Sequence, residues 1–336
     1  MGTTLPTRRL GSSGPEITTV GFGAWAAGGG GWAFSWGPQD DAASVAAIHH
    51  ALAQGVNWID TAAVYGCGHS EEVVAKALAD VPANERPLVF TKCGLKWDDE
   101  DRMAQPERDS RPERIREECE ASLIRLKMDT IDLYQFHWPD QTGTPVEDSW
   151  GTMLELVEEG KVRWVGVSNY DVALLERCEA VGHVESLQPP FSMIRRDVGE
   201  DEIPWCADNG TGVIVYSPMQ SGLLTDSFGL ERVKAFAPDD WRRRFDHFQS
   251  PRLEQNLALR DALKPIAAKH GTTVAAVAVA WTLTWPGMTG AIVGARSADQ
   301  VDGWIGAASL ALTAADLDEI AAAIERSGAG EGPARD

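Results

Sequence analysis

Four side chains able to hold or move a proton lie at the ends of three successive apolar runs. In "NWIDTAAVYGCGHSEE" (57–72) one run ends at Asp60, and Tyr65 follows inside a Gly-rich turn. Lys92 lies near the end of "LVFTKC" (88–93), and His137 closes "IDLYQFH" (131–137). An ammonium in so apolar a run is costly to bury unless it is paired, and Asp60 on the preceding run is the carboxylate at hand. A desolvated cation beside a phenol lowers the phenol pKa from about 10 toward working pH, which suits general acid–base work. His137 can hydrogen-bond an incoming carbonyl oxygen and direct it to the Tyr65 hydroxyl. Together the four would deliver a proton to a carbonyl that is receiving a hydride. Each alone has a plainer reading: a lysine snorkels, a lone histidine is structural, a loop tyrosine packs. Their coincidence at consecutive run ends singles them out.

The elements that must position them read as strands alternating with helices. Strands are expected at 17–23, 56–60, 88–93, 131–137, 162–168, 186–189, 212–217 and 290–295. Amphipathic stretches separate them, several opening on Asp or Ser and closing on Gly. The strands are near-continuously apolar rather than alternating, as in a parallel sheet covered by helices. Eight such units predict an α/β fold of the (β/α)8 (TIM) barrel type, whose active site lies at the C-terminal ends of the strands. Those ends add Ser168 and Asn169, Gln188, and Tyr216 and Ser217 to the four above. "RRLGSSGPEITTVGFG" predicts an N-terminal β-hairpin plugging the barrel floor. Residues 228–252 form an insertion between units seven and eight, and "LTAADLDEIAAAIE" an extra C-terminal helix. The expectation is a single domain over 8–326 with a polar tail at 327–336. The rival is a doubly wound dinucleotide-binding sheet, because "GFGAWA" (21–26) satisfies G-x-G-x-x-A. That fingerprint needs a helix to begin inside it, and "GGGGWAFSWGP" follows instead.

Composition narrows the partners. The 336-residue chain carries a net charge of −20, which argues against nucleic acid or an anionic membrane as a partner, since both need clustered Lys and Arg. Five cysteines without C-x-x-C spacing point to reduced thiols. The N-terminus lacks the apolar core of a signal peptide, and no run is long enough to span a membrane. A cytoplasmic location is expected. Seven histidines without a metal-binding arrangement predict no metal. Nothing in the sequence sets an oligomeric state.

The order Asp60, Tyr65, Lys92, His137, with "VGVSN", "YSPMQSGLLT" and "IVGARSADQ", resembles the aldo-keto reductase superfamily. It is most similar to the bacterial reductases associated with inositol-utilisation operons. The likeness runs from about residue 8 to residue 325. It implies a barrel that binds NADPH extended, without a dinucleotide-binding sheet, and reduces aldehydes or ketones reversibly. By that resemblance Tyr65 is the proton donor, Lys92 and Asp60 tune it, and His137 orients the substrate. Ser168, Asn169 and Gln188 would hold the nicotinamide amide, with Tyr216 stacked on the ring and Trp25 nearby. Ser217, Met219, Ser221, Gly222 and Leu223 would approach the pyrophosphate. Gly294, Arg296, Ser297 and Gln300 would meet the adenosine 2′-phosphate, an arginine at a helix start suiting a phosphate dianion.

The sequence also departs from the family. Relatives often carry a basic residue at Gln300, a Glu-Asn pair at Gly303-Trp304, and Gly-Lys where "DSFG" follows "GLLT". NADH is therefore possible, and Arg232 or Arg242–Arg244 would replace a missing phosphate contact. Thirteen tryptophans are many for this length. Trp32, Trp97 and Trp138, with Trp36, fall in loops over the mouth and would wall a small-molecule carbonyl or alcohol. Two other functions fit the same scaffold. One is a cofactor-sensing regulatory module with little turnover, as in potassium-channel β subunits. The other is a lyase or isomerase using Lys92 as a Schiff-base amine.

Overall fold

The computed structural model describes residues 4–238 and 240–336. Eight strands close into a parallel barrel: β1 Val20–Gly23, β2 Trp58–Asp60, β3 Leu88–Cys93, β4 Ile131–Phe136, β5 Val162–Ser168, β6 Ser186–Gln188, β7 Gly212–Val215 and β8 Met288–Gly294. Each strand pairs with its sequence neighbours, and β8 closes the ring on β1. The helices are α1 Asp41–Ala53, α2 His69–Leu78, α3 Pro112–Leu126, α4 Val146–Glu158, α5 Val172–Glu179, α6 Glu202–Asn209, α7 Leu230–Lys234, α8 Arg252–Lys269, α9 Val274–Leu283, α10 Ala298–Asp302 and α11 Ala314–Ser327. "GFGAWA" runs from β1 into a short 3₁₀ turn at Trp25–Gly28, and the next α-helix begins only at Asp41. The doubly wound alternative is thereby set aside.

Strand periodicity of two sorts the barrel interior into layers. The lower layer is apolar and includes Trp58, Phe90, Leu133, Ile214 and Ile292, with Leu10 and Ile17 rising into it from the N-terminal hairpin. That hairpin pairs Thr7–Arg9 with Glu16–Thr18. The expected first strand, 17–23, is thus divided between the hairpin and β1. The two part at Thr19, whose N–H bonds Pro6 while the Trp58 indole bonds the Thr18 carbonyl (2.8 Å). A side chain at Gly21 would sit 2.1 Å from that indole, so the plug requires glycine there. Two residues further along β2, β3 and β4 come Asp60, Lys92 and Gln135, which form a polar layer above the apolar one.

Side-chain caps fix several helices: Asp40 for α1, Asp171 for α5, Thr273 for α9, and a capping box of Thr313 and Asp316 for α11. All ten residues of α9 are buried. The pattern after the last strand divides into α10 and a 3₁₀ turn at Ile305–Ser309. The insertion folds over the mouth of the barrel as a cluster of Phe228, Phe236, Trp241, Phe245 and Phe248. It is tied to the loop after β1 by Arg244 on the Ala33 carbonyl and by Trp241 N–H on Ser35 O (3.4 Å). The C-terminal tail packs against the loop after β6. Buried Arg196 donates to the carbonyls of Ala329 (3.2 Å) and Gly332 (3.0 Å), and Glu331 forms a β-bridge with Arg195.

Candidate active site

Lys92 is 1% exposed and its Nζ donates to Asp60 Oδ1 at 2.5 Å and to the Thr61 carbonyl at 2.9 Å. The other Asp60 oxygen accepts from Gln188 Nε2 (2.8 Å) and Gln135 Nε2 (3.4 Å). Gln188 Nε2 also reaches Gln135 Oε1 at 3.2 Å. The charge pair thus lies inside a network in which both carboxylate oxygens are bonded, the condition under which a buried ion pair persists. A second carboxylate backs it: Glu71, on α2 and fully buried, accepts from Thr91 (2.6 Å) and Arg125 (2.6 Å).

Tyr65 rests on this layer. Lys92 Nζ is 5.3 Å from its ring centroid, and the His137 ring stands edge-on to it at 5.5 Å. The Tyr65 loop is pressed against the loop after β1 where Gly28 meets Gly66; a Cβ on Gly66 would lie 2.1 Å from the Gly28 carbonyl. Trp25 stacks between Tyr65 (5.9 Å) and Trp241 (5.1 Å). The predicted four are therefore brought together.

Their electrostatics differ from the expectation in one respect. Burial, then the Asp60 carboxylate, then Tyr216 push the Tyr65 phenol well above its ordinary pKa. Lys92 does not offset these effects. Burial is also the main cause that lowers the Lys92 pKa, against the pull of Asp60. Burial, with the charges of Lys92 and Arg108, drives the His137 pKa well below its usual value. The resting site thus holds a protonated phenol and a neutral imidazole.

These groups open into a cavity of ≈ 460 Å³, a size suited to a small-molecule or cofactor site. Its wall includes Trp25, Trp32, Trp138, Ser168, Asn169 and Gln188 from the strand ends and their loops. Tyr216, Ser217, Met219, Ser221, Gly222, Gly294, Arg296 and Gln300 line it further round. Asn169 links three strand ends, donating to His137 O (2.9 Å) and Ser168 Oγ (3.0 Å) and accepting from Tyr216 OH (2.8 Å). Ser217, Gln220 and Ser221 have positive φ of 56°, 44° and 54°, a concentration of backbone strain typical of functional loops. Gln188 keeps only its amide oxygen for a ligand, since its nitrogen serves Asp60 and Gln135.

Three expected contacts lie off this wall. Trp97 is half-buried in the cluster of Trp32, Val64 and Tyr65 without lining the cavity, its indole bonding Asp99 (2.9 Å) and its ring 5.9 Å from Arg125. The short hairpin of Leu95–Lys96 and Glu107–Arg108 contributes Leu95 and Arg108 to the wall. Leu223 is fully buried beneath its loop, and Ser297 stands at the N-terminal boundary of α10 outside the wall.

A model of the aldo/keto reductase family matches residues 19–325. The chain belongs to that family. Its members are oxidoreductases that act on carbonyl groups with a nicotinamide cofactor. The chain is 36% identical to the aldo-keto reductase YhdN of Bacillus subtilis over 294 residues, 87% of this chain and 86% of that protein. It is 32% identical to the NADH-specific methylglyoxal reductase of Escherichia coli, covering 94% of this chain and 98% of that one. Among solved structures it resembles the glycerol dehydrogenase AKR11B4 from Gluconobacter oxydans, with a TM-score of 0.86, 38% identity and 97% of each chain covered.

Several residues of this reductase site were not read from sequence. Gln135 on β4 sits two positions before His137, which directly follows that strand, so the expected strand's parity would have placed it beneath the imidazole. Gln39 accepts from Arg296 Nε (2.7 Å), and the Trp36 and Pro38 carbonyls bind the same guanidinium. Within the Arg242–Arg244 run, Arg242 is buried, paired with Asp240 (2.6 Å) and stacked 4.7 Å from Trp36, whereas Arg243 and Arg244 are exposed.

Proposed function

We propose that this chain is an NADP(H)-dependent reductase of aldehydes and ketones, acting reversibly, with Tyr65 as proton donor. The observation that carries this reading is the buried Lys92–Asp60 pair, fixed on both carboxylate oxygens, directly below a protonated phenol beside a neutral imidazole.

The wall fits a dinucleotide. In a chain of net charge −20, the charged residues of this wall among the described residues are Arg108, Arg232, Arg242 and Arg296 against Asp60. Arg296 is lowered in pKa by burial and then by Arg242 and Arg232, and this mutual repulsion favours a polyanion held among the three. The Gln39, Trp36 and Pro38 acceptors on Arg296 are neutral, so a 2′-phosphate dianion would displace them. Ser217, Ser221 and Gly222 would hold the diphosphate through their backbone, and Tyr216 and Trp25 would hold the nicotinamide.

When bound, the nicotinamide supplies a hydride to the carbonyl carbon. The chain's own residues do the rest. His137, neutral, donates one N–H to the carbonyl oxygen and holds it toward Tyr65. Tyr65 gives its hydroxyl proton to that oxygen as the C=O π pair becomes an O–H bond. The phenolate left behind faces the Lys92 ammonium and regains its proton from solvent. The aromatic wall keeps water from the reacting atoms. The five free cysteines fit the reducing cytoplasm we assign to it, and among the described residues no helix is long and apolar enough to cross a membrane.

The test is turnover of 4-nitrobenzaldehyde, followed by loss of dihydronicotinamide absorbance with NADPH and with NADH. Tyr65→Phe is expected to lower kcat by about 10²–10⁴-fold while cofactor binding persists. Turnover retained in that variant refutes Tyr65 as donor, and faster turnover with NADH refutes the cofactor assignment.

A further inference from the structure

Of the four arginines on the cavity wall, three crowd the end assigned to phosphates. Arg108 is apart from them. It ends the short hairpin after β3, and its guanidinium lies 4.3 Å over the ring of Trp138, the residue next to His137. Among the described residues it has no carboxylate within ion-pair distance, and its guanidinium makes no hydrogen bond. The acids beside it in sequence are held by other cations: Glu107 by Lys96 at 3.1 Å, and Asp109 by Arg111 at 2.7 Å. Asp60, the only carboxylate on the wall among the described residues, is matched by Lys92. Arg108 is therefore an uncompensated, partly desolvated cation on the substrate side of the cavity. Its effect reaches His137, since it is among the charges that depress that imidazole.

A guanidinium covered on one face by an indole presents its coplanar N–H groups edgewise, the geometry that grips a carboxylate through two parallel hydrogen bonds. Stacking on Trp138 fixes the plane of that fork, so little side-chain freedom is lost when an anion arrives. We propose that Arg108 is a specificity-determining residue that selects aldehydes and ketones bearing a carboxylate at the end remote from the reacting carbonyl. The carbonyl then lies at Tyr65 and His137, the hydrocarbon spacer between the aromatic walls, and the carboxylate on Arg108. The proposal rests on the reductase reading and names its substrate class. The competing reading is that Arg108 serves only to pack on Trp138.

The experiment compares 4-carboxybenzaldehyde with 4-nitrobenzaldehyde, whose para groups match in shape while only the first is anionic. With wild type, Arg108→Gln and Arg108→Lys, the quantity read is the ratio of kcat/KM for the two substrates. Arg108→Gln is expected to lower the carboxy-to-nitro ratio by about 10–100-fold, mainly through KM of the carboxylate substrate. Arg108→Lys, which keeps the charge but not the planar fork, should fall between. A ratio moved less than about two-fold in both variants overturns the proposal and leaves Arg108 a packing residue. If wild type turns over neither aldehyde, the reductase reading fails, and thermal unfolding with saturating benzoate decides the subsite separately. A rise in Tm with benzoate but not benzamide, lost in Arg108→Gln, supports it; no rise, or an equal rise in the variants, overturns it.

Discussion

Lys92 meets Asp60 before it meets the phenol, and that order decides what the pair contributes. With the two buried charges in contact at 2.5 Å, burial first and the Asp60 carboxylate second raise the phenol pKa and keep the proton on the donor at rest. The lysine matters once the proton has gone, when an anion appears beside it. Stability depends on the pair in a different way. Lys92→Met should cost about 3–5 kcal/mol, because Asp60 would be left as an unmatched buried charge. The double variant Asp60→Asn, Lys92→Met should recover most of this while remaining a poor catalyst. Urea denaturation near neutral pH measures both, and a double variant no more stable than Lys92→Met would show that the cost lies in packing instead. The reacting residues were legible because a carboxylate, an amine and an imidazole at apolar run ends are costly unless they work together. Gln135 and Arg108 were not, since an amide or an arginine in such a position has many ordinary uses.

At the scale of elements, the strands were legible from apolar runs, and most helices from caps and periodicity. Two features were not. The first expected strand splits at Thr19 because Asn57 and Pro6 hold its first half in the hairpin (Thr18 N–H to Asn57 Oδ1, 2.8 Å), a contact made across the fold. Helix α8 carries Pro265 in its interior and buried polar residues, Asn256 and Arg260, so its apolar stripe is weak. The last helix depends on chemistry the sequence did show. Asp316 closes the α11 capping box and also accepts from Lys269 (2.6 Å) and His270 (2.9 Å). Lys269 first, then Thr313, hold its carboxyl well below the usual range. A depressed carboxyl stabilises the fold above its unfolded pKa of about 3.9 and loses that contribution as pH falls. Asp316→Asn should therefore lower stability by about 1–2 kcal/mol near neutral pH. The gap from wild type should narrow as pH is taken from about 6 to about 3, and urea midpoints along that series check it. A gap that stays constant would mean the cap does not depend on charge.

On the scale of the whole molecule, the barrel is finished at its two ends by opposite termini. The hairpin fills the floor, and the insertion and the C-terminal tail dress the upper face. The tail satisfies a charge: Arg196, 3% exposed, finds acceptors on Ala329, Gly332 and Met193. A chain ending at Ser327 should lose the first two and lower Tm by a few degrees. Adding Arg196→Met to the truncated chain should restore part of the loss. A truncated chain with unchanged Tm would show that water replaces the tail without penalty.

The placement of the termini has a practical corollary. Glu331 pairs with Arg195 in the loop that leaves the catalytic end of β6, whereas the amino-terminal hairpin lies under the opposite end. A purification tag, fusion partner or solid support joined at the amino end hangs below the barrel and leaves the entrance clear. The same cargo joined at the carboxyl end is anchored beside the doorway.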